Sequence, residues 1–310
     1  MQTTIFFGNG INLLGKGVSW DSILMQLSEG KMMPPIGSNT LKYEYVVLNK
    51  EKYKTRPFGS DIGVTFTVDG VLELESVNVE YDIIKKRLAE KLSWSKYSDI
   101  PYYKKLADLQ ADNYITTNYE SYIKDYFVDK GYGVKEPINP CLRERAHYNL
   151  VKGNRTIRLW NIHGSIEYHE SIMLGLFEYC DYVKGFKKLL KEDYSWLNVM
   201  INSDVFILGF GLGYEEIDLW YFLVSRKRLF HDRKESANRI VYYAIEDKSY
   251  DIGKIKMLEA LDVEVVPIPF DWSENAYQKA YDLIYDKIQK SINKECHGDR
   301  LATTNDRCNK

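Results

Sequence analysis

The chain opens with a short run of β-branched and aromatic residues, Thr3 to Phe7. A run of this length and composition predicts a buried strand, since it is too short for a helix. Gly8-Asn9-Gly10 follows at once, and the pattern from Ser19 to Leu24 predicts a capped helix start. A glycine turn before a helix favours a bound anion, although an ordinary tight turn between strand and helix explains the same residues.

Hydrophobic strand patterns alternate with helical ones from residue 111 onward. This alternation predicts an α/β fold with a doubly wound, Rossmann-like parallel sheet. The predicted strands are 114–117, 156–160, 204–208, 239–245 and 263–267, and the predicted helices are 121–128, 172–190, 196–201, 215–229, 252–261 and 272–292.

Residues 30–110 separate the first strand from the next clear one. Leu41 to Leu48 fits a helix or a strand, whereas the alternating residues on either side of Asp69-Gly70 favour a short hairpin. Helical spacing returns near residues 77–92 and 102–109. The segment is far longer than a crossover requires, so we expect a mostly helical insertion or cap within a single domain spanning 1–293, followed by a disordered tail, 294–310.

Composition narrows the classes of function. The chain has 310 residues, 45% of them hydrophobic, and a formal net charge of −2, which gives no electrostatic case for direct nucleic-acid binding. Because we find neither an apolar run long enough for a membrane helix nor a signal peptide, we expect a cytoplasmic protein without a membrane partner. Its four cysteines form no C-x-x-C pair, which argues against a disulfide framework or a zinc site, and we expect no bound metal.

Unusual polar and glycine residues follow five of the predicted strands. They come after Phe7, Thr117, Ile162, Leu208 and Ile245. In open α/β sheets, ligands bind outside the carboxyl ends of the strands, where the strand order reverses. The five turns together therefore predict a ligand site at this edge of the sheet.

These turns, in this order, resemble those of the sirtuin family of NAD-binding proteins, and more specifically the divergent bacterial sirtuin-like domains of anti-phage defence. The resemblance extends over roughly residues 3–270. The matching segments are Gly8-Asn9-Gly10-Ile11-Asn12, Ser19-Trp20 with Leu24, Thr116-Thr117-Asn118-Tyr119-Glu120, Ile162-His163-Gly164 and Gly209-Phe210-Gly211-Leu212.

The resemblance implies that NAD is the substrate and assigns roles to individual residues. His163 would be the catalytic base, and Asn118 would hold a ribose hydroxyl and the attacking water. A buried core histidine and a turn asparagine are the structural alternatives. The residues expected to contact NAD are Gly8, Asn9, Gly10, Asn12, Thr117, Glu120, Gly209, Gly211 and Glu246, with Asp247 as an alternative to Glu246.

The sequence also departs from zinc-containing sirtuin deacylases, which carry two C-x-x-C pairs between the His-Gly and the last glycine turn. Cys180 is the one cysteine in that interval. The resemblance therefore implies an NAD hydrolase that releases nicotinamide, acting as a defence effector, rather than a deacylase. We expect a homo-oligomer gated by an activating partner, such as a defence ATPase or a phage-sensing protein, with nucleic acid met only through that partner. A module that binds NAD or ADP-ribose without turnover, and a deacylase or ADP-ribosyltransferase, remain the alternatives.

Overall fold

The fold is seen in a computed structural model of the chain. It describes residues 2–15, 20–28, 35–48, 64–66, 72–74, 85–90, 92, 98, 100–135, 143, 148–190, 192, 195–230 and 238–305. Ser19, where the predicted helix start begins, and the Asp69-Gly70 turn of the predicted hairpin lie outside these residues.

An eight-stranded sheet forms the centre of the molecule, and six of its strands are parallel. The six parallel strands follow the order that gives a Rossmann sheet its switch point, between β1 and β8. The strand order is β10-β9-β8-β1-β4-β7-β6-β5. The strands are β1 (Gln2–Phe7), β4 (Asn113–Thr116), β5 (Gly133–Lys135), β6 (Tyr148–Lys152), β7 (Arg155–Asn161), β8 (Ser203–Leu208), β9 (Ile240–Ile245) and β10 (Glu264–Ile268), and a separate hairpin pairs β2 (Val64–Phe66) with β3 (Leu72–Leu74).

Both faces of the sheet are buried. Since successive side chains of a strand point to opposite faces, Ile5 and Phe7 enter one hydrophobic core while Phe6 enters the other. Phe206 and Ile207 divide in the same way. The continuous apolar runs of the sequence are thus explained by helices covering both faces, which confirms the predicted α/β, Rossmann-like fold.

Helices surround the sheet and form the cap. Their bounds are α1 (Trp20–Leu27), α2 (Asn39–Leu48), α3 (Tyr102–Asp108), α4 (Tyr122–Asp129), α5 (Leu176–Lys184), α6 (Phe186–Leu189), α7 (Trp196–Asn202), α8 (Ile217–Phe230), α9 (Ile252–Ala260) and α10 (Ala276–Asn305), with residues 85–90 also helical. Within the described part of the chain, no helix has the length and apolar character needed to cross a membrane.

The cap is built from α1, α2 and the segment around residues 85–92, and it has a hydrophobic core of its own. That core also contains Tyr119, Ile172 and Leu174, which belong to the sheet domain. The buried ion pair between Lys85 and Glu178, 2.5 Å apart, adds a second link. The cap therefore packs over the chain that follows β4 and β7.

Three details differ from the sequence predictions. Strands β5 and β6 add an antiparallel edge, which the short, mostly polar segments near Pro137 and Pro140 did not reveal. Residues 172–175 are not helical, because helix α5 begins at Leu176. Helix α10 extends to Asn305, beyond the predicted end of the closing helix at residue 292, and the disordered tail stays a prediction. Extending an existing helix adds one hydrogen bond for each residue fixed, so a polar composition does not prevent it.

Candidate functional site

Two glycine turns meet at the switch point of the sheet. Gly8–Gly10 follows β1, and the turn beginning at Gly209 follows the neighbouring β8. The amide of Gly8 donates to Leu208 O at 3.2 Å, and that of Gly10 donates to Gly209 O at 2.8 Å. Gly209 has φ +60°, a conformation that costs glycine little.

The later turn is also held through its carbonyl groups. Tyr242 Oη donates to Phe210 O at 2.9 Å, Lys254 Nζ donates to Gly211 O at 2.6 Å, and Trp220 Nε1 donates to Gly213 O at 2.9 Å. These donors come from β9, α9 and α8. The backbone at the switch point is consequently fixed by the surrounding fold.

A buried hydrogen-bond network joins the first turn to the end of β4. Tyr103 Oη donates to Asn12 Oδ1 at 2.6 Å, and Asn12 Nδ2 donates to Asn9 Oδ1 at 2.9 Å and to the carboxylate of Glu120 at 3.3 Å. Asn118 Nδ2 donates to the Tyr103 hydroxyl at 3.2 Å. Burial raises the pKa of Glu120, against the lowering effect of its hydrogen bonds. The network holds these polar side chains in fixed positions.

Asn118 combines a fixed orientation with an unused acceptor. Its Nδ2 also faces Gly8 O at 3.4 Å. The backbone carbonyl oxygen of Asn118 accepts a hydrogen bond from Asn161 Nδ2 at 2.9 Å. Its buried Oδ1 has no hydrogen-bond partner among the described residues. A buried acceptor without a partner is costly, so this oxygen is suited to accept a hydrogen bond from a ligand.

The acceptor lies at a small cavity beneath the cap. The cavity measures about 20 Å³, which is room for about one water molecule. Ligand sites usually measure about 300–1,000 Å³, so this cavity is much smaller than the space that a dinucleotide occupies. The residues that line the small cavity are Asn9, Ile23, Leu92, Thr117, Asn118, Tyr119 and Glu120.

His163 forms a second cluster, and its side chain is 2% exposed. Its Nε2 lies 3.0 Å from Asp218 Oδ2 and 3.9 Å from Glu216 Oε2, and its Nδ1 lies 3.1 Å from Tyr179 Oη. Burial lowers the pKa of His163, but the charge and hydrogen bond of Asp218 and the charge of Glu216 outweigh it, so the pKa is raised. Burial raises the pKa of Glu216 to about 7.

Comparison with known protein families identifies the domain in which the His163 cluster lies. Residues 112–265, which include β4, β7, β8, β9 and the His163 cluster, match the family model of the SIR2-like domain. The protein has a SIR2-like domain. The predicted sirtuin resemblance is thereby confirmed, and the domain indicates an NAD-related, enzymatic function. A comparison with curated proteins found no match.

The Rossmann-like sheet brings most of the predicted ligand-binding residues together. Gly8, Asn9, Gly10, Asn12, Thr117, Asn118, Glu120 and Gly209 lie in the two turns, the network or the cavity lining. Gly211 is farther along the second turn and faces open space. Glu246 is exposed after β9, while its neighbour Asp247 accepts from Tyr277 Oη at 2.7 Å. The roles of all these residues remain predictions.

Several polar residues around the site were not predicted from the sequence. Asp218, Glu216 and Tyr179 surround His163, and Tyr103 connects Asn12 with Asn118. The acidic residues directly follow the Gly209–Gly213 turn, but the helix dipole by itself explains acidic side chains at the start of a helix. Tyr179 and Tyr103 carry no local signal, since their positions in helices fit ordinary core residues.

The His163 cluster also has the ligand types of a metal site. One ligand atom each from His163, Glu216 and Asp218 lies within 4.8 Å of the others, and imidazole with carboxylates suits several divalent ions. Imidazole and carboxylate also pair directly with each other, as His163 Nε2 and Asp218 Oδ2 do at 3.0 Å, so the cluster has an explanation that needs no ion. The expectation of no metal therefore remains a prediction.

Proposed function

We propose that the protein is an NAD glycohydrolase, which uses water to split NAD into nicotinamide and ADP-ribose. The observation that carries this proposal is the buried Asn118 side chain. Its amide is held by Tyr103 and Gly8, while its Oδ1 has no partner among the described residues and lies beside a cavity at the carboxyl ends of β1 and β4. That is the location where α/β sheets bind ligands.

Cleavage of the bond between nicotinamide and ribose develops positive charge on the ribose, and the attacking water must lose a proton. Asn118 Oδ1 is a suitable acceptor for a ribose hydroxyl or for that water. Glu120 and Asn12 hold the neighbouring polar surface in place. His163 has an imidazole that can take a proton near neutral pH.

The absence of two C-x-x-C pairs between His163 and Gly209 disfavours protein deacylation, because Cys180 is the one cysteine there. One observation favours a binding module as the second candidate. Both ring nitrogens of His163 contact protein groups, Asp218 and Tyr179, and His163 is not among the described residues that line the cavity. A hydrolase therefore requires that His163 exchange one of these partners for substrate.

The proposal includes a role in anti-phage defence, in which the protein depletes NAD once it is activated. Such an activity would harm the host unless it were gated, so we further propose a homo-oligomer with an activating protein partner. The candidate assembly surfaces are residues 30–110 and 214–230. Within the second surface, Tyr214 is 66% exposed and stacks on Trp220 with ring centroids 6.1 Å apart.

The test is nicotinamide release from NAD by purified protein over a range of protein concentrations. Asn118→Ala and His163→Ala should each lower the rate about 10²–10⁴-fold, the usual contribution of a positioned acid–base group. A steep increase of specific activity with protein concentration would support gating by assembly.

Asn113 provides a matched control for Asn118. It is also a buried asparagine with an unpartnered Oδ1 among the described residues, but it lies at the amino end of the same strand. Asn113→Ala should retain the wild-type rate per folded molecule. Equal loss in both variants would contradict the role of Asn118, and NAD binding measured by calorimetry without any product would favour the binding module.

A further inference from the structure

Asp218 is the closest carboxylate to His163 and is completely buried. It lies in the first turn of α8, is 0% exposed, and places Oδ2 3.0 Å from His163 Nε2. An ionised carboxylate can only accept a hydrogen bond. The proton of the neutral imidazole must therefore reside on Nε2, and Nδ1 keeps the lone pair.

The group at Nδ1 agrees with this tautomer. Tyr179 Oη lies 3.1 Å from Nδ1, and burial raises the pKa of Tyr179 well above its usual value. The tyrosine therefore keeps its proton and donates it to Nδ1. A ribose hydroxyl or a water molecule is also a hydroxyl donor and can replace Tyr179 at this nitrogen.

We propose that Asp218 is a positioning residue that holds His163 as its Nε2–H tautomer, so that Nδ1 is the atom that accepts the proton during NAD cleavage. This inference rests on the proposed function. It assigns to the acidic start of α8 a role in the chemistry, in addition to its interaction with the helix dipole.

The charged groups around His163 determine the pH dependence that follows. Asp218 and Glu216, both at the start of α8, favour the imidazolium, whereas burial and Arg143 disfavour it. Tyr179 approaches from α5 and remains neutral. Removing the Asp218 charge leaves the effect of burial less opposed, and the pKa of His163 must then fall.

Two measurements test the proposal. The first is NMR of the full-length protein with ¹⁵N-labelled histidine, in which the His163 signal is identified by its loss in His163→Gln. The wild type should show the Nε2–H tautomer, and Asp218→Asn should lower the pKa of His163 by about 1–3 units, the usual effect of an adjacent opposite charge. This readout does not depend on activity.

The second measurement is kcat/KM for nicotinamide release as a function of pH. Because the base acts when deprotonated, the ascending limb of the wild-type profile should follow the pKa of His163. In Asp218→Asn this limb should move to lower pH, and the plateau value of kcat/KM should fall about 10²–10⁴-fold. The upper end of this range is the decrease in kcat seen when the aspartate that orients the catalytic histidine of a serine protease is replaced by asparagine. Glu216→Gln, which removes a carboxylate at 3.9 Å, should move the limb in the same direction by less.

Asp204→Asn is the matched control, since Asp204 is a buried carboxylate at the amino end of β8 and should alter neither readout. Three results would overturn the proposal. The first is a loss of rate in Asp218→Asn with no movement of the ascending limb, and the second is an Nδ1–H tautomer in the wild type. The third is a stoichiometric metal ion whose removal abolishes wild-type activity. If wild-type protein shows the expected tautomer and shift but releases no nicotinamide at any concentration, the hydrolase function fails while the control of His163 by Asp218 stands.

Discussion

Gly8 and Gly211 are both glycines of predicted ligand-binding turns, but the structure gives them different reasons to be glycine. A Cβ on Gly8 would lie 2.5 Å from Phe210 Cδ2, 2.8 Å from Gly209 O and 2.9 Å from Phe210 Cα. Two of these three atoms belong to the backbone, so a change of side-chain rotamer cannot relieve the contact. A Cβ on Gly211 would meet nothing within 4 Å.

Gly8→Ala should therefore destabilise the protein, because the two turns must separate. Inserting a methyl group into a packed region typically costs about 1–3 kcal/mol. An unfolding entropy of about 2.1 cal/mol/K per residue gives roughly 0.65 kcal/mol/K for 310 residues. The expected decrease in Tm is about 2–5 °C. Gly211→Ala, at an exposed position, should change stability by less than about 0.5 kcal/mol.

The assay is thermal unfolding of wild type, Gly8→Ala and Gly211→Ala, followed by circular dichroism at one protein concentration and one scan rate. Urea unfolding provides an independent measure of the change in free energy. If Gly8→Ala proved as stable as wild type, the turns would not be packed as described. If Gly211→Ala proved the less stable variant, the reasoning from Cβ contacts would be refuted.

Two further predictions concern the charges around the site. Burial raises the pKa of Glu216 to about 7 in the folded protein, so the folded state binds more protons than the unfolded state between about pH 4.5 and 7. The free energy of unfolding should fall as pH rises through this window, and Glu216→Gln should remove about 1–3 kcal/mol of that fall. Urea unfolding of both proteins at pH 5 and pH 8 measures the difference. An equal change with pH in both proteins would contradict the assigned pKa. Lys85→Met removes the 2.5 Å ion pair with Glu178. Glu178 keeps its hydrogen bonds to the amides of Leu174 and Gly175, so its carboxylate is not left without partners. We therefore expect the free energy of unfolding to fall by only about 1–3 kcal/mol. Hydrogen exchange should quicken in α2 but not in α10, and uniform acceleration would show that the pair does not act on the cap.

Much of the fold was determined by the sequence through local physical chemistry. Apolar runs such as Val205–Leu208 have no polar face, so they predict strands buried on both sides. Glycines directly after Phe7 and Leu208 mark turns where the backbone must bend sharply or come close to another segment. Because parallel strands align their carboxyl ends, the turns after β1, β4 and β8 could be assigned to one edge of the sheet before any coordinates were known.

The sequence did not determine the contacts made between distant segments. The side chains of Tyr103 and Asn118 are hydrogen-bonded although 15 residues separate them in the chain, and Asp218 contacts His163 over 55 residues. Such pairs arise when helices pack on the sheet, and nothing in the local pattern distinguishes Tyr103 from the neighbouring Tyr102. The antiparallel edge formed by β5 and β6 depends on the same long-range packing.

The division between the two kinds of information has one physical reason. Periodicity, turn chemistry and the position of strand ends are properties of neighbouring residues, and these properties determined the element order, the Rossmann-like sheet and the edge that carries the site. Hydrogen-bond partners, the burial of His163 and Glu120, and the narrow cavity beneath the cap depend on which surfaces come together. Only the tertiary structure decided that Asn118 Oδ1 has no partner in the described part of the chain, and that Asp218 rather than solvent faces His163 Nε2.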